Sequence, residues 1–564
     1  MDENEIERQQ HQTYWEMVWS RLKKHKLGMV SLLVISLFCF VGVYAPFLAS
    51  SKPIAVYYDG SWYFPLFRYL FYTGFFTKRI DLFFNILMFT LPAFILSFYL
   101  FKKAPRLRKL SLVALFCIQI GLFIYFSTGS IRDPAADPTM NAERQKVVQQ
   151  VIKETGNAPL PSWDFDLKYM NDYAKLNMIL RYNQRKNQHE KLMTYHKDYQ
   201  DAALSRWADK KAKKKQIEML RKMGDSEQIP SQSQLKQNIF ENASKEDLGK
   251  IGVMPSLYQM NKDHRDKRLK LLNDTIQRYR NEGDTDSESY RYAVSQKRYI
   301  IDRYRWVTDQ SQSIQFNIMP LIRPFHWEDD AGGEQSLNQF IGWTELTRIN
   351  RKDLFAALIF GVRISLVVGV TAVALALAIG VPIGAFAGYY GGNFDIFVSR
   401  LLEIWESMPT FFMLLLVVAI TQSKSIFLIV TVIGIFGWTS FSRYIRGEFF
   451  KQRNLSYVEA CRASGFNDRY IIFSHILPNA FPPLLTLLPF AIMGAITSEA
   501  GLSFLGLGEE GSSSWGVLMD EGRMAFPGES YLLWPPAILL TILLIAIALL
   551  GDALRDALDP KVLK

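Results

Sequence analysis

Residues Ile364 to Phe394 read ISLVVGVTAVALALAIGVPIGAFAGYYGGNF, an unbroken stretch in which no side chain carries a charge. A helix rises about 1.5 Å per residue, so roughly 20 apolar residues cross the hydrocarbon core, and only a self-satisfied backbone survives there. This stretch therefore predicts a transmembrane helix. Working outward, seven more segments meet or approach the same length: Leu27 to Ser51, Leu82 to Phe101, Leu110 to Ile131, Ser407 to Ser423, Ser425 to Ser442, Ile476 to Ser498 and Ser530 to Gly551. Two of these, Ser407 to Ser423 and Ser425 to Ser442, are the shortest, and with only Gln422 to Ser425 at their junction they read as a tight helical hairpin. A soluble core helix explains any one of these segments, but not the whole set. The expected fold class is all-α, a polytopic membrane protein with about eight transmembrane helices.

Averages conceal this pattern. The chain has 564 residues, 49% of them hydrophobic and 21% charged, with a net charge of +11. Lys and Arg crowd the region from Arg132 to Arg323, whereas the C-terminal part holds long stretches without charge. The first apolar segment is too long for the core of a cleaved signal peptide and follows a long polar leader, which favours a retained anchor. Arg21, Lys23, Lys24 and Lys26 precede it, and Lys102, Lys103, Arg106, Arg108 and Lys109 fill the turn after the second span. By the positive-inside rule both clusters are cytoplasmic, which puts both termini and the basic segment Arg443 to Arg469 in the cytoplasm of a multi-pass protein. Lys78 and Arg79 run mildly against this orientation. The resulting division is a cytoplasmic segment 1–26, three spans including an extra hairpin in 27–131, an extracytoplasmic helical insert 132–346, and a membrane core 347–564 with a cytoplasmic loop 447–478.

Spacings of three and four in the insert, at Leu192, Tyr195, Tyr199 and Ala203 and again at Leu269, Leu272, Ile276 and Tyr279, predict helices. Breaks fall at Asn157 to Ser162, Gly224 to Ser233 and Gly283 to Ser289. The Lys210 to Lys215 cluster lacks an aromatic platform and reads as a solvated face, so no nucleic-acid partner is expected. Cys39, Cys117 and Cys461 lie too far apart to define a disulfide framework, and the histidines form no metal-ligand spacing. Gly249-Lys250 is followed by Ile251 and lacks the glycine-rich approach of a phosphate loop. No hydrolase elbow or metalloprotease pair is present. No catalytic residue, cofactor or metal is expected.

The loop carries the remaining information: Asn454-Leu-Ser-Tyr-Val-Glu-Ala-Cys-Arg-Ala-Ser-Gly465, then Phe466 to Ser474 and His475-Ile-Leu-Pro-Asn479. Ser456 to Ser464 reads as a short helix that Ser456 is able to cap, with Gly465 as a left-handed stop. A second short helix is expected next, and Pro478 marks where the following span begins. An ordinary amphipathic surface helix gives the same pattern.

This loop resembles the Glu-Ala-Ala loop of binding-protein-dependent ABC permeases. Glu459, Ala460, Gly465, Leu477 and Pro478 match at the family's spacing, with Cys461 in place of the second alanine and His475 in place of an isoleucine. The resemblance runs from about Phe340 to Lys564, through Gly361-Val-Arg-Ile-Ser-Leu366, Gly388-Tyr-Tyr-Gly-Gly392, Ser503-Phe-Leu-Gly-Leu-Gly508, Ser514-Trp-Gly516 and Asp552 to Pro560. His475 to Asn479 looks like the dipeptide and oligopeptide permeases, C-type subunit. Tyr58-Asp-Gly-Ser-Trp-Tyr-Phe-Pro65 and Glu403-Ile-Trp-Glu-Ser-Met-Pro409 are similar to the Yej-type subgroup, which imports microcin C and other oligopeptides.

The resemblance implies a permease in the bacterial inner membrane, embedded in lipid. It implies a second homologous permease subunit, two ATPase subunits or domains and an extracytoplasmic peptide-binding protein. It also implies that Ser456, Tyr457, Glu459, Ala460, Cys461, Ala463, Gly465, Leu477 and Pro478 form the ATPase-coupling loop. The extra hairpin and the large insert depart from the family pattern. Two rival readings are a membrane receptor or sensor, which calls for a cytoplasmic output domain, and a membrane enzyme using Glu403, Glu406 or Glu499. Glu403 and Glu406 are expected near Arg400 at the cytoplasmic end, and Glu499 in an interfacial role near the outer end.

Overall fold

The computed structural model describes residues 14–50, 52–72, 78–129, 131–223, 230–242, 257–321, 354–509, 511–524 and 532–558. The division expected at 346/347, the start of the last span at Ser530, most of the 224–233 break, Gly249 to Ile251, Phe340 and the tail 559–564 lie outside these residues, as do the side chains of 191–203.

Among the described residues, seven helices are long and apolar enough to cross a membrane: Lys26–Val43, Arg79–Leu100, Pro105–Thr128, Leu354–Tyr390, Ile426–Gln452, Asp468–Leu507 and Trp534–Leu558. A further pair of helices, Gly392–Glu406 and Thr410–Thr421, is long and apolar enough only when taken together, and its two pieces meet at 72°. This alters the expected fifth span. Pro409 has no N–H to donate and disfavours helical backbone at Met408, so the chain breaks there and the second piece has only 12 residues. The tight turn that follows is as expected, with Gln422 left-handed at φ +49°.

The chain divides into two compact units, one of Met1–Ala45, Leu87–Leu91 and Leu358–Lys564, the other of Pro46–Ile86 and Pro92–Ala357. In the first unit, helix Tyr14–Lys24 packs Val18 and Leu22 on Ala553, Ala557 and Leu558 of the last span. Arg363 is buried at 1% exposure, and its guanidinium donates to the carbonyls of Gly42 (2.7 Å) and Val43 (3.3 Å). These are orphan acceptors at the end of helix Lys26–Val43, so one cation satisfies a helix terminus that lipid would leave bare.

Helix Leu354–Tyr390 lies against Ile426–Gln452 along Gly380, Gly384 and Gly388. A Cβ at any of them would run into the backbone carbonyl oxygen of Trp438, Ser442 or Arg446 respectively. Small residues one turn apart let two backbones approach this closely, replacing the hydrophobic drive that lipid does not supply.

The second unit holds span Pro105–Thr128 and, apart from Leu87–Leu91, span Arg79–Leu100, joined by internal polar contacts. Ser97 and Ser111 share a hydroxyl hydrogen bond of 2.6 Å, and the Gln119 amide donates to the Phe83 carbonyl at 3.0 Å. The insert is helical, as expected, with Pro138–Thr155, Asp172–Met223, Gln232–Glu241, Leu257–Asn281 and Glu288–Ser311 as its main elements. The second unit also contains strands that the periodicity did not indicate: β1 (Ala55–Tyr58), β2 (Ser61–Tyr63) and β3 (Phe316–Ile318), ordered β2-β1-β3 and antiparallel. Asp59-Gly60 closes the β1–β2 hairpin with both residues at positive φ, a tight-turn signal present in the sequence. The third strand joins from 259–263 positions away, which no local pattern reveals. Val56, Tyr58 and Tyr63 pack one sheet face on Leu176, Ile179 and Leu180.

Gly384→Val is expected to separate the two packed spans. Overpacking of this kind costs about 1–3 kcal/mol, and a lower melting temperature in detergent is the readout. Gly447→Ala, where nothing lies within 4 Å of the added methyl, is expected to leave melting unchanged or higher; equal melting of both variants would refute the close-packed crossing.

Candidate functional site

The helix expected from Ser456 runs Ser456–Ala463, but Ser456 is not its cap. Leu455 holds that position with extended backbone, and its carbonyl accepts from the Val458 and Glu459 N–H groups. Burial of Val458, which is 0% exposed, fixes this register. Tyr457 and Cys461 are half-buried beside it, whereas Ser456, Glu459, Ala460 and Ala463 are exposed. Spacings of three and four place these four on one stripe. The Tyr457 hydroxyl donates to the Gln452 side chain at 2.6 Å. Burial raises its phenol pKa, the hydrogen bond with Asn479 lowers it in part, and the net direction is upward, so the group stays a neutral donor.

The helix ends as its sequence indicates. Gly465 has φ +76°, its N–H donates to Arg462 O at 3.0 Å, and the Phe466 N–H donates to Cys461 O at 3.2 Å. This pair of bonds is the Schellman arrangement, and it requires a left-handed residue at the position of Gly465. Asn467 then caps the next helical turn by accepting from the Tyr470 N–H at 2.8 Å.

The expected second short helix and the following span are one continuous helix, Asp468–Leu507, widened to π geometry over Ile471–Ile476. Leu477 donates to Ile472 O, five residues back. Pro478 supplies no N–H just beyond, so a regular α ladder has no donor to resume with at that point. Leu477 is half-buried in the same cluster as Val458, and Pro478 is exposed. Ile471, Ile472 and Ile476 anchor the helix on Ile445 and Phe449.

Tyr389 joins these parts, a role that no local pattern marks. Its hydroxyl donates to Asp468 at 2.7 Å while the Arg462 guanidinium lies 5.1 Å over its ring. Arg453 donates to the carbonyls of Gly388 and Tyr389, both at 3.3 Å. Arg446 forms a bidentate pair with Asp395. The Gly388 to Gly392 motif and the Glu459 loop are therefore one cluster.

The three carboxylates weighed for enzymatic chemistry are all engaged. Glu403 pairs with Arg400 and Glu406 with Arg443. Glu499 is buried at 2% exposure and accepts from the hydroxyls of Ser503 and Ser514, each at 2.7 Å. Beside it the Trp515 indole donates to the Leu358 carbonyl at 3.0 Å. Among the described residues no group of three His, Cys, Asp or Glu side chains is placed to hold a metal ion.

A polytopic helical core that presents a short rigid helix from a glycine-ended loop defines a membrane transport subunit. Residues 380–564 match the family model described as "Binding-protein-dependent transport system inner membrane component", and residues 13–65 match the N-terminal TM domain of oligopeptide transport permease C. The oligopeptide transport system permease protein OppC of Haemophilus influenzae is 36% identical over 255 residues, which cover 44% of this chain and 80% of that protein. The chain belongs to this family of inner-membrane permease subunits, whose members transport and are not enzymes.

The peptidoglycan transport system permease protein YejE of Agrobacterium fabrum is 37% identical over 37% of this chain and 55% of its own length. YejE of Escherichia coli is 37% identical over 38% of this chain and 62% of its own length. The chain thus spans less than two thirds of either YejE relative. A solved structure of the MetNI methionine ABC transporter has a TM-score of 0.31 at 19% identity, covering 36% of this chain and 96% of that one, and carries no weight here.

Tyr389→Phe is expected to loosen the loop without unfolding the core. A hydrogen bond to a charged group contributes about 1.5–3 kcal/mol, so amide exchange at Gly465 to Tyr470 should rise by roughly one to two orders of magnitude. Unchanged exchange would remove Tyr389 from the support.

Proposed function

We propose that this chain is the C-type permease subunit of an ATP-driven importer for oligopeptides or peptide-like compounds. The observation that carries the reading is the stripe Ser456, Glu459, Ala460 and Ala463, exposed on a helix that Val458 anchors and Gly465 terminates. A rigid peg with small exposed side chains suits a cleft in a soluble partner. In this reading the partner is one of two ATPase subunits or domains, which close on ATP and pull on Ser456–Ala463. The continuous helix Asp468–Leu507 carries that motion through the core, giving alternating access. Peptide as the substrate class rests on relatives named for oligopeptide, dipeptide and glutathione transport.

A second homologous permease subunit completes the path, and an extracytoplasmic binding protein delivers the substrate. Both termini and the 447–478 loop are cytoplasmic and the insert extracytoplasmic, following the basic clusters at Arg21 to Lys26 and Lys102 to Lys109.

Two experiments test this reading. Gly465→Val forces a β-branched residue to positive φ; it is expected to leave membrane insertion intact, weaken pull-down of the ATPase subunit and abolish uptake in reconstituted vesicles. Glu459→Ala, which leaves the backbone unchanged, should have the same effect in milder form. Normal uptake by inserted Gly465→Val protein would sink the coupling role. For topology, single cysteines are placed at Lys210 and Asn454 after Cys39, Cys117 and Cys461 are changed to serine. In intact cells an impermeant thiol reagent should label the first and spare the second, and the reverse pattern would overturn the orientation.

A further inference from the structure

The small sheet is apolar on both faces, and among the described residues only one face is covered. Trp62 and Phe316 each stand directly opposite Tyr57, so the three rings form a row across β2, β1 and β3. The Trp62 ring lies 5.3 Å from Tyr57 and 5.8 Å from Phe316. Ile318 shares this face two residues along β3, and Phe64 follows Trp62 by the same step. Trp62, Phe64, Phe316 and Ile318 are 41–53% exposed, Phe67 36% and Leu321 84%. A patch of this composition at this density on an exposed face marks an interaction surface.

The same unit shows the level at which the patch sits. The short helix Pro65–Tyr69 follows the sheet, and its end meets both membrane helices of that unit. The Leu70 carbonyl accepts from the buried Asn85 amide at 2.7 Å, well inside span Arg79–Leu100. The Phe71 ring stacks at 4.6 Å on Phe126, two residues before the end of span Pro105–Thr128. Leu70 and Phe71 are thus level with the apolar ends of two spans. A helical stretch from Pro65 to Leu70 rises only about 8 Å, and the headgroup layer is roughly 5–8 Å deep on each side of the hydrocarbon. Arg68, exposed on this helix, and Lys78 with Arg79 at the start of the span carry positive charge of the kind that attracts lipid phosphates.

We propose that the exposed aromatic face of the β2-β1-β3 sheet is a membrane-surface anchor that lies in the lipid headgroup layer at the insert end of these spans. Trp and Phe fit that layer because an apolar ring inserts among the upper acyl chains while the strand backbone stays hydrated or paired. Through β3 the contact ties the later part of the insert to the bilayer, beside the β1–β2 hairpin that precedes the two spans. Lys78 and Arg79 then have a reason to stand where loop charge alone disfavours them.

The test uses the full chain in nanodiscs, with Cys39, Cys117 and Cys461 changed to serine and a single cysteine at Phe64 carrying an environment-sensitive fluorophore. Phe316→Cys serves as a second site should Phe64→Cys fail to give monodisperse protein, and Lys213→Cys on helix Asp172–Met223 is the aqueous control. Quenchers are lipids with a nitroxide near the headgroup, lipids with one deep in the acyl chain, and iodide in solution. The expected result is blue-shifted emission at residue 64 or 316, quenched more by the shallow nitroxide than by the deep one and little by iodide, with iodide alone quenching residue 213. Water-like emission quenched by iodide at the sheet would overturn the proposal. Shielding from all three quenchers would overturn it as well, by showing that protein covers the face.

Discussion

Gly380, Gly384 and Gly388 set how near two membrane helices approach, and most of the core follows from that distance. In lipid the apolar side chains gain nothing by leaving the solvent, so helices are held by close packing and by hydrogen bonds that hydrocarbon cannot replace. With no Cβ on this face, helix Leu354–Tyr390 brings its backbone against the carbonyls of Trp438, Ser442 and Arg446. The polar groups at its two ends are consequently fixed: Arg363 under the terminus of Lys26–Val43 at one, Tyr389 against Asp468 at the other.

This arrangement explains why the Ser456–Ala463 helix is rigid although only Val458 is fully buried within it. An isolated eight-residue helix is unstable in water because its nucleation cost is not recovered. Here its C-terminus is closed by the Gly465 turn, Arg462 stacks over Tyr389, and the helix after it is pinned by Asn467 and the Ile471, Ile472 and Ile476 cluster. Little of the stabilisation is local. A force applied to the exposed stripe is resisted by groups on three other helices, which is what the proposed coupling role demands.

Buried polar groups in the core follow the same logic. Glu499, Ser503 and Ser514 satisfy one another across a bend where Gly506 adopts φ +80°, and the Trp515 indole closes on the Leu358 carbonyl. A buried carboxylate invites a catalytic reading, but two hydroxyl donors on adjoining segments make it a clamp. The ionic pairs of Glu403 and Glu406 are exposed at the bent pair of helices, where screening makes such pairs weak.

The sequence by itself determined the membrane class, most of the spans and the glycine stop of the Ser456–Ala463 helix, because each depends on local properties: an uncharged run long enough for the bilayer and a glycine where the backbone turns left-handed. It missed the helix Gly392–Glu406 that meets Thr410–Thr421 at the Met408-Pro409 break, since Asp395, Arg400, Glu403 and Glu406 interrupt the apolar run there. It placed the cap on Ser456 by residue type, whereas burial of Val458 moved it to Leu455. Only the tertiary structure decided that Tyr389 supports Asp468, that Arg363 caps a helix 320 positions away, and that Phe316–Ile318 completes a sheet begun at Ala55. Those contacts join residues far apart in the chain, and a side chain carries no local mark of a partner that folding alone brings to it.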